Sequence, residues 1–467
     1  MMVFELFDIR RFLLKFGRGG TGLNVYDIVR CGPLSYGPLY GDSKLFSVGR
    51  YKSILILYNE ADIKNNVPKL AEKLKTHLST GFENRKIFPG FNELFDLSIE
   101  ISTVPFKNYD PEEIYTVFGE HCGDIDVCFP LIILPRVARG MYDSIYYTTK
   151  AEFLRREVPS QVFTVDLLQD EQNYMWSLLP VAIQIFTKMG GVPYTLDRSV
   201  LGDKVSEDTS VFTMGLGISY HPLYKERGVG FLIVFDHLGA WCFMDSTALL
   251  LYEKDRLSGQ VAMLLENAVR RILSLSKSRK NVLIIHYSGK EVGRAEEEAV
   301  AKAVRSAETE LSKFVAVYIL KIKDSDIVIN DTASEYIVDN ARSGYPPIGV
   351  TIQIKPGLYL MFTSGYFTGH GNKVRGNIRR GLSRAKIVSR HREMEPARDE
   401  VKLDDKALLA TVFGMCRLNY NSVQNPVSRE PITVRYSREI AWLSLRLSDL
   451  GVNLNQDSRI KRVMWFI

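Results

Sequence analysis

The chain has 467 residues, of which 46% are hydrophobic, and carries a formal net charge of +6 with a sequence pI of about 8.8. These values suit an ordinary protein of two or three domains and are compatible with a polyanionic partner without requiring one. The apolar runs are much shorter than the roughly 20 residues of a membrane span, so we expect a soluble chain.

The N-terminal apolar run contains Asp8, Arg10 and Arg11, which a signal peptide would not tolerate. The five cysteines are odd in number and scattered along the chain. This usage favours a reducing compartment over a disulfide framework. Together the two observations predict a cytoplasmic protein.

Residues 47–196 alternate between the periodicities of strands and helices. The predicted strands lie in "YKSILILYNE", "LFDLSIEIST", "DVCFPLIILP" and "QVFTVDLL", and the predicted helices in "VPKLAEKLKTHLSTG", "DPEEIYTVFGEHCG", "YDSIYYTTKAEFLRRE" and "EQNYMWSLLPVAIQIFTKMGG". This alternation predicts a Rossmann-like α/β domain over residues 45–200. No GxGxxG follows the first strand, so we do not expect a dinucleotide cofactor.

The pattern changes at about residue 210. One strand ("TMGLGISY") and a hairpin are followed by helix, strand, helix and strand, which is the topology of ribonuclease H. We therefore predict a ribonuclease-H-like domain over residues 201–467. The glycine-rich segment 1–44 is expected to pack against this second domain.

The order of the domains and several local stretches resemble a short prokaryotic Argonaute of the MID–PIWI type. "VPSQVFTVDLL" and "IQIFTKMGGVPYTL" are similar to a strand and a helix exit of the MID domain. "RLNYNSVQNPVSREPITVRYSREIAWL" and the terminal "RVMWFI" are similar to the late PIWI segment and its hydrophobic tail. The resemblance covers roughly residues 45–467, and its motifs are specific mainly through their order and spacing.

The resemblance implies that the MID domain holds the 5′ phosphate of a guide strand. The matching residues are Tyr146, Lys150, Gln161 and Lys188, with Tyr147 an equally good candidate for the aromatic position. Such a site needs cationic and hydrogen-bonding groups that converge from several elements. Taken singly, each residue also has an ordinary interpretation, such as a solvated pair or a lysine that complements a helix C-terminus.

The family often bridges this phosphate with a divalent cation, which the resemblance places on Gln184 and the terminal carboxylate of Ile467. Both groups offer oxygen, the ligand that Mg²⁺ prefers. A structural Mg²⁺ is therefore an expectation.

Slicing members of the family hold two metal ions with aspartates and a glutamate. The corresponding positions here are Gly217, Ser288 and Arg438, none of which supplies a carboxylate. Glu439 is adjacent, but one acid does not make a two-metal site. The resemblance therefore predicts a PIWI domain that does not cleave and a protein that is not an enzyme.

A basic run with no acid before Glu393 occupies "GNKVRGNIRRGLSRAKIVSRHRE". The candidates for contact with a nucleic-acid backbone are Lys373, Arg375, Arg379, Arg380, Arg384 and Lys386. Phosphate contacts of this kind weaken steeply with salt. The alternatives are a partner-protein surface or an ordinary solvated face.

The resemblance implies a sensor loaded with a guide, an RNA guide being favoured over a DNA guide, that recognises complementary target DNA. Its output would pass through an APAZ-containing partner and an effector in defence against phages and plasmids. Two alternatives stay open: an active guided endonuclease with a displaced acidic set, and a nucleic-acid binder that needs no guide.

Overall fold

The computed structural model describes residues 2–6, 14–16, 21–22, 48–82, 87–136, 144–196, 205–206, 208–220, 227–247, 250–251, 254–288, 294–328, 337–338, 341–342, 346–369, 372–376, 384–395, 401–421, 427–452, 454 and 458–467.

The strands are β1 (Met2–Leu6), β2 (Leu14–Lys15), β3 (Thr21–Gly22), β4 (Ser53–Asn59), β5 (Glu100–Phe106), β6 (Cys128–Leu134), β7 (Gln161–Thr164), β8 (Thr195–Leu196), β9 (Thr209–Tyr220), β10 (Arg227–Asp236), β11 (Trp241–Ser246), β12 (Leu250–Leu251), β13 (Lys280–Tyr287), β14 (Ala316–Val328), β15 (Ile337–Val338), β16 (Ala341–Arg342), β17 (Val350–Lys355), β18 (Leu358–Met361), β19 (Gly365–Gly369), β20 (Asn372–Gly376) and β21 (Arg384–Arg390).

The α-helices are α1 (Val67–Thr80), α2 (Phe91–Phe95), α3 (Pro111–Cys122), α4 (Ile145–Arg155), α5 (Val165–Gln169), α6 (Glu171–Lys188), α7 (Lys254–Leu275), α8 (Arg294–Ser306), α9 (Glu308–Leu311), α10 (Asp405–Arg417) and α11 (Ile432–Asp449). Short 3-10 helices occupy Val48–Arg50, Arg392–Met394 and Arg459–Arg462.

The chain divides into two compact units. One contains residues 1–15, 21–24 and 195–445, and the other contains residues 16–20, 25–194 and 446–467. The division at 194/195 lies near the predicted boundary at 200/201. The last residues of the chain group with the Rossmann-like part, whereas the sequence placed them in the second domain.

The Rossmann-like unit is built on a parallel sheet with the strand order β5-β4-β6-β7. Every residue of β6 is buried, as expected for a central strand covered on both faces. Helix α3 starts where the sequence predicts, because the Asp110 carboxylate accepts a hydrogen bond from the Glu112 amide and Pro111 occupies the first turn. The predicted Rossmann-like domain is confirmed.

The second unit is built on a ten-stranded sheet with the path β1-β17-β18-β21-β14-β13-β9-β10-β11, while β12 pairs with β10. Strands β9, β10 and β11 are antiparallel neighbours, and β9, β13 and β14 run parallel. This is the predicted ribonuclease-H-like arrangement. Its apolar core lies between these strands and helices α7 and α8. Strand β1, from the N-terminal segment, pairs with β17 at the edge of the same sheet.

None of the helices in the described parts of the chain combines the length and the apolar composition that a membrane span requires.

Candidate functional site

Three elements of the Rossmann-like unit bring the predicted phosphate-binding residues to one place. Lys150 lies on α4, Gln161 is the first residue of β7, and Lys188 is the last residue of α6. Strand β7 begins opposite Leu131 of the buried strand β6, so its first residue is fixed by the sheet. The lysines are themselves buried, with exposed fractions of 6% for Lys150 and 1% for Lys188.

A single hydrogen-bonded network joins these side chains. The Nζ atoms of Lys150 and Lys188 both donate to the backbone carbonyl oxygen of Ser160, the second over 3.2 Å. Lys188 Nζ also donates to Gln161 Oε1, and Gln161 Nε2 donates to Gln184 Oε1 over 3.1 Å. The structure thus gathers four of the residues that the resemblance singled out. We call Lys150, Ser160, Gln161, Gln184 and Lys188 the lysine cradle.

The lysine cradle holds positive charge without an acid to balance it. Within the described parts of the chain, neither Lys150 nor Lys188 forms an ion pair with a carboxylate. Burial lowers the pKa of Lys150 to about 8. Burial and the neighbouring charge of Lys150 lower the pKa of Lys188 well below its ordinary value. Two buried cations with no counter-ion destabilise a free protein, so this arrangement suits an anionic ligand.

The aromatic candidate Tyr146 lies one helical turn before Lys150 on α4, and it is half-buried. Its ring contacts the ring of Tyr147 edge-on at 5.1 Å between centroids. Burial raises the pKa of Tyr146 to about 12, so the phenol stays a neutral hydrogen-bond donor. Both tyrosines therefore remain candidates for the aromatic position.

Three hydroxyl groups near these residues in sequence are buried without a hydrogen-bond partner in the described structure: Ser144 Oγ, Thr149 Oγ1 and Ser160 Oγ. Ser160 belongs to the lysine cradle, and Thr149 precedes Lys150 on α4. Sequence reasoning did not single them out, although "VPSQ" already placed Ser160 beside Gln161. Buried hydroxyls without partners are uncommon and are natural donors to a bound anion.

The groups around Gln184 do not resemble the oxygen ligands of a divalent cation. Gln184 Oε1 accepts the hydrogen bond from Gln161, and the charged neighbours of the network are lysines rather than acids. Among the described residues, no group of three or more His, Cys, Asp or Glu side chains could hold a metal ion. The described side chains by themselves fit an anion and do not fit a divalent cation. The Mg²⁺ on Gln184 and Ile467 stays a prediction, and no step below depends on it.

The last residues of the chain are anchored within the Rossmann-like unit. Arg459 pairs with Asp126 and, over 3.1 Å, with Glu157. Trp465 and Ile467 are buried, with 1% and 7% of their surfaces exposed. The tail therefore shares a unit with the lysine cradle, and the pairing of Ile467 with Gln184 on a metal ion stays a prediction.

The cysteines require a correction. The sequence favoured unpaired cysteines, but Cys122 at the end of α3 and Cys128 at the start of β6 form a disulfide bond. The bonded pair closes a short loop that contains Asp126, the partner of Arg459. An odd number of widely spaced cysteines argues against a disulfide framework as a whole. It does not exclude a single bond between the two cysteines that lie six residues apart.

In the other unit, Gly217 lies in the middle of β9, where helix α11 crosses the strand. A Cβ atom added to Gly217 would lie 2.6 to 2.8 Å from backbone atoms of Ser437 and Arg438, and one added to Gly215 would lie 2.0 Å from the Thr433 carbonyl oxygen. These glycines therefore allow close packing of a helix on a strand. The strand has no room for an aspartate at Gly217 unless α11 moves.

Ser288 and Arg438 lie next to this crossing. Ser288 directly follows β13, whose Tyr287 pairs with Leu216 of β9, and its buried hydroxyl has no partner in the described structure. His286, two residues earlier, contacts Thr433 Oγ1 through Nδ1 at 2.9 Å, and burial lowers its pKa to about 3. The structure thus brings the three expected positions together, with a neutral imidazole beside them.

Arg438 belongs to an internal ionic cluster. Its guanidinium lies 2.7 Å from Glu430, which also accepts from Lys386 at 3.0 Å, and Lys386 pairs in addition with Asp324. We call Asp324, Lys386, Glu430 and Arg438 the ionic cluster. Lys386 is buried and its charge is matched by two carboxylates, so in this structure it is not an exposed cation. Its predicted contact with a nucleic-acid backbone stays a prediction.

The other basic-run candidates are placed less fully. Lys373 and Arg375 lie on β20 and Arg384 on β21, with their side chains outside the description, and Arg379 and Arg380 lie outside the described residues. The predicted backbone contacts of these five residues stay predictions.

No protein-family model and no curated protein matches the sequence. Among solved structures, the Argonaute of A. aeolicus is similar over 100% of this chain and 56% of its own, with 16% identity and a TM-score of 0.56. Drosophila Piwi is also similar over 100% of this chain and 56% of its own, with 14% identity and a TM-score of 0.61.

Clostridium butyricum Argonaute, bound to a guide DNA and a 19-mer target DNA, is similar over 100% of this chain and 54% of its own, with 13% identity and a TM-score of 0.63. The chain therefore spans about half the length of these structures. It has the MID–PIWI fold of Argonaute and Piwi proteins, as the sequence predicted.

Proposed function

We propose that the chain binds a guide strand by its 5′ phosphate and uses it to recognise complementary nucleic acid. The observation that carries this proposal is the lysine cradle, in which two buried lysine Nζ atoms share one carbonyl oxygen without a carboxylate. A terminal phosphate, with nearly two negative charges and several acceptor oxygens, supplies the charge that the cradle lacks. The C. butyricum Argonaute, which shares the fold, is bound to a guide DNA and a target DNA.

In this proposal Lys150 and Lys188 neutralise the phosphate, the Gln161 amide orients Lys188, and Tyr146 or Tyr147 stacks on the first base. Base pairing supplies sequence specificity, and the protein reads the shape of the backbone. An RNA guide and a DNA target are the favoured pair. The readout passes to an APAZ-containing partner and an effector in cytoplasmic defence against foreign DNA.

We further propose that target recognition proceeds without cleavage. Two features support this: the close packing of α11 over Gly217, and the engagement of Arg438 with Glu430. A cationic guanidinium at such a position opposes the binding of the two metal ions that phosphodiester cleavage needs. A magnesium-dependent cleavage assay on a guide–target pair decides between this and the active endonuclease, since product formation would overturn it.

The test of guide binding compares short RNA and DNA oligonucleotides that carry either a 5′ phosphate or a 5′ hydroxyl. We expect the phosphorylated strand to bind about 10- to 100-fold more tightly, since each hydrogen bond to a charged group contributes about 1.5–3 kcal/mol. The double variant Lys150→Ala/Lys188→Ala should abolish this preference. Equal affinity for both ends in the unaltered protein would instead support the nucleic-acid binder that needs no guide.

Lys69→Ala is the matched control, because Lys69 is an exposed lysine of the same unit on α1. It should leave the preference for a 5′ phosphate unchanged. Sequencing of the nucleic acid that co-purifies with the protein then identifies the natural guide as RNA or DNA.

A further inference from the structure

The lysine cradle places two like charges on one acceptor. Lys150 Nζ and Lys188 Nζ both reach the carbonyl oxygen of Ser160 from different helices, and both side chains are almost completely buried. Two unit charges about 4 Å apart repel by about 4 kcal/mol at an effective dielectric constant near 20. One carbonyl dipole and one amide oxygen compensate only part of that repulsion.

The surrounding elements supply no acid that relieves it. Besides the two lysines, the titratable groups on these elements are Tyr146, Tyr147, Glu152 and Arg155 on α4 and Glu171 and Tyr174 on α6, and the amides are Gln161 and Gln184. Glu171 is the first residue of α6, at the opposite end from Lys188, and it pairs with Lys73 over 3.9 Å. The tyrosines and glutamines are neutral. Glu152 is engaged with Arg155 and Arg156.

Among the described residues, burial and the other lysine are what shift the pKa of each cradle lysine, and no carboxylate contributes.

We propose that the lysine pair of the free protein carries fewer than two protons and takes up the missing proton when it captures a 5′ phosphate. This inference rests on the proposed function and adds a pH dependence to it, because binding of the 5′ phosphate is coupled to proton uptake. The proton passes from solvent to a lysine Nζ, and no bond to the phosphate forms or breaks.

The direction of the coupling follows from burial and charge. Burial lowers the pKa of Lys150 to about 8, and burial together with the charge of Lys150 lowers the pKa of Lys188 well below its ordinary value, so near pH 8 the free pair is incompletely protonated. A bound phosphate dianion favours the charged form of both lysines and raises their pKa values again. Ligand binding and proton binding then strengthen each other by linkage.

The ligand does not obscure this effect. The second pKa of a terminal phosphate is about 6, so the phosphate is already a dianion at about pH 8. Contact with ammonium groups lowers that pKa, so the phosphate takes up no proton on binding. Proton uptake measured near pH 8 therefore reports the protein.

The experiment is isothermal titration calorimetry of the full chain with 5′-phosphorylated RNA near pH 8, in two buffers of different ionisation enthalpy. The dependence of the binding enthalpy on buffer enthalpy gives the number of protons taken up. We expect at least one proton per bound strand with a 5′ phosphate, because both lysines are incompletely protonated in the free protein near pH 8. The same RNA with a 5′ hydroxyl should give an uptake near zero.

The outcomes separate the two proposals. If the protein prefers the 5′ phosphate but the enthalpy is the same in both buffers, the coupling is overturned and the proposed function stands. If the protein shows no preference for the 5′ phosphate between about pH 6.5 and pH 8.5, the proposed function itself fails. A buffer-dependent enthalpy that is equal for both RNA ends also overturns the coupling, because the proton would then belong to another site.

Discussion

Both units contain buried lysines, but only one of the units pairs them with carboxylates. In the lysine cradle, Lys150 and Lys188 share a carbonyl oxygen and no acid balances them. In the ionic cluster, Lys386 lies between two carboxylates, and Glu430 also receives Arg438. The cradle therefore lacks negative charge, whereas the acids of the cluster match its cations.

This difference shows which buried cations are available to a ligand. A matched ion pair already has its partner, and replacing that partner with a phosphate would cost the cluster its internal contacts. An unmatched pair is destabilising in the free protein and gains most from an anion. The balance of nearby charges, rather than basic residues as such, locates the candidate anion site.

The largest effect is expected from Glu430→Gln in the ionic cluster. The substitution keeps the shape of the side chain but removes the carboxylate that contacts both Lys386 and Arg438. Breaking a buried ion pair costs about 3–5 kcal/mol, and we expect about 3 kcal/mol because Lys386 keeps Asp324. Urea denaturation followed by circular dichroism measures it. A change below about 1 kcal/mol would show that the cluster is screened by solvent.

A somewhat smaller loss is expected from Gly217→Ala, which probes why the sheet centre lacks an acid. The new Cβ would lie 2.6 Å from the Ser437 backbone, so α11 must shift, at a cost of about 2–3 kcal/mol. Gly259→Ala on the exposed surface of α7 is the control. It meets no atom within 4 Å and should stabilise the helix by up to about 1 kcal/mol. Equal effects of the two substitutions on urea denaturation would contradict the proposed packing.

Much of the fold was predictable because the hydrophobic periodicity of the sequence distinguishes strands from helices. The buried strand β6 and the capped helix α3 are local patterns, and they appear where the sequence places them. The convergence of Lys150, Gln161 and Lys188 was predictable only through the resemblance. Their separations in sequence say nothing about a shared carbonyl oxygen.

Two arrangements that the sequence did not predict, the ion pairs of Lys386 and the position of the C-terminal tail, share a physical cause. The pairing of Lys386 with Asp324 and Glu430 depends on residues that are far apart in sequence and meet only across the sheet. The basic run therefore resembled a surface patch, although one of its lysines is buried. The grouping of the tail with the Rossmann-like unit involves Arg459 and Asp126, which are even farther apart in sequence.

The smallest effect has the opposite sign. Lys150→Met removes one of the two unmatched charges and leaves Lys188 its bonds to Ser160 and Gln161. Replacing a buried, uncompensated ammonium by an apolar chain of similar length should stabilise the free protein by about 1 kcal/mol near neutral pH, while it weakens binding of a 5′ phosphate.

The same substitution in the ionic cluster, Lys386→Met, is the matched comparison for urea denaturation. It leaves Asp324 without its lysine and Glu430 with Arg438 alone, so it should destabilise the protein, by up to about 3 kcal/mol. A loss of stability in both variants would mean that Lys150 has a counter-charge in the free protein. In that case the lysine cradle would be a structural ion site like the cluster, and neither its affinity for phosphate nor its coupling to protons would follow.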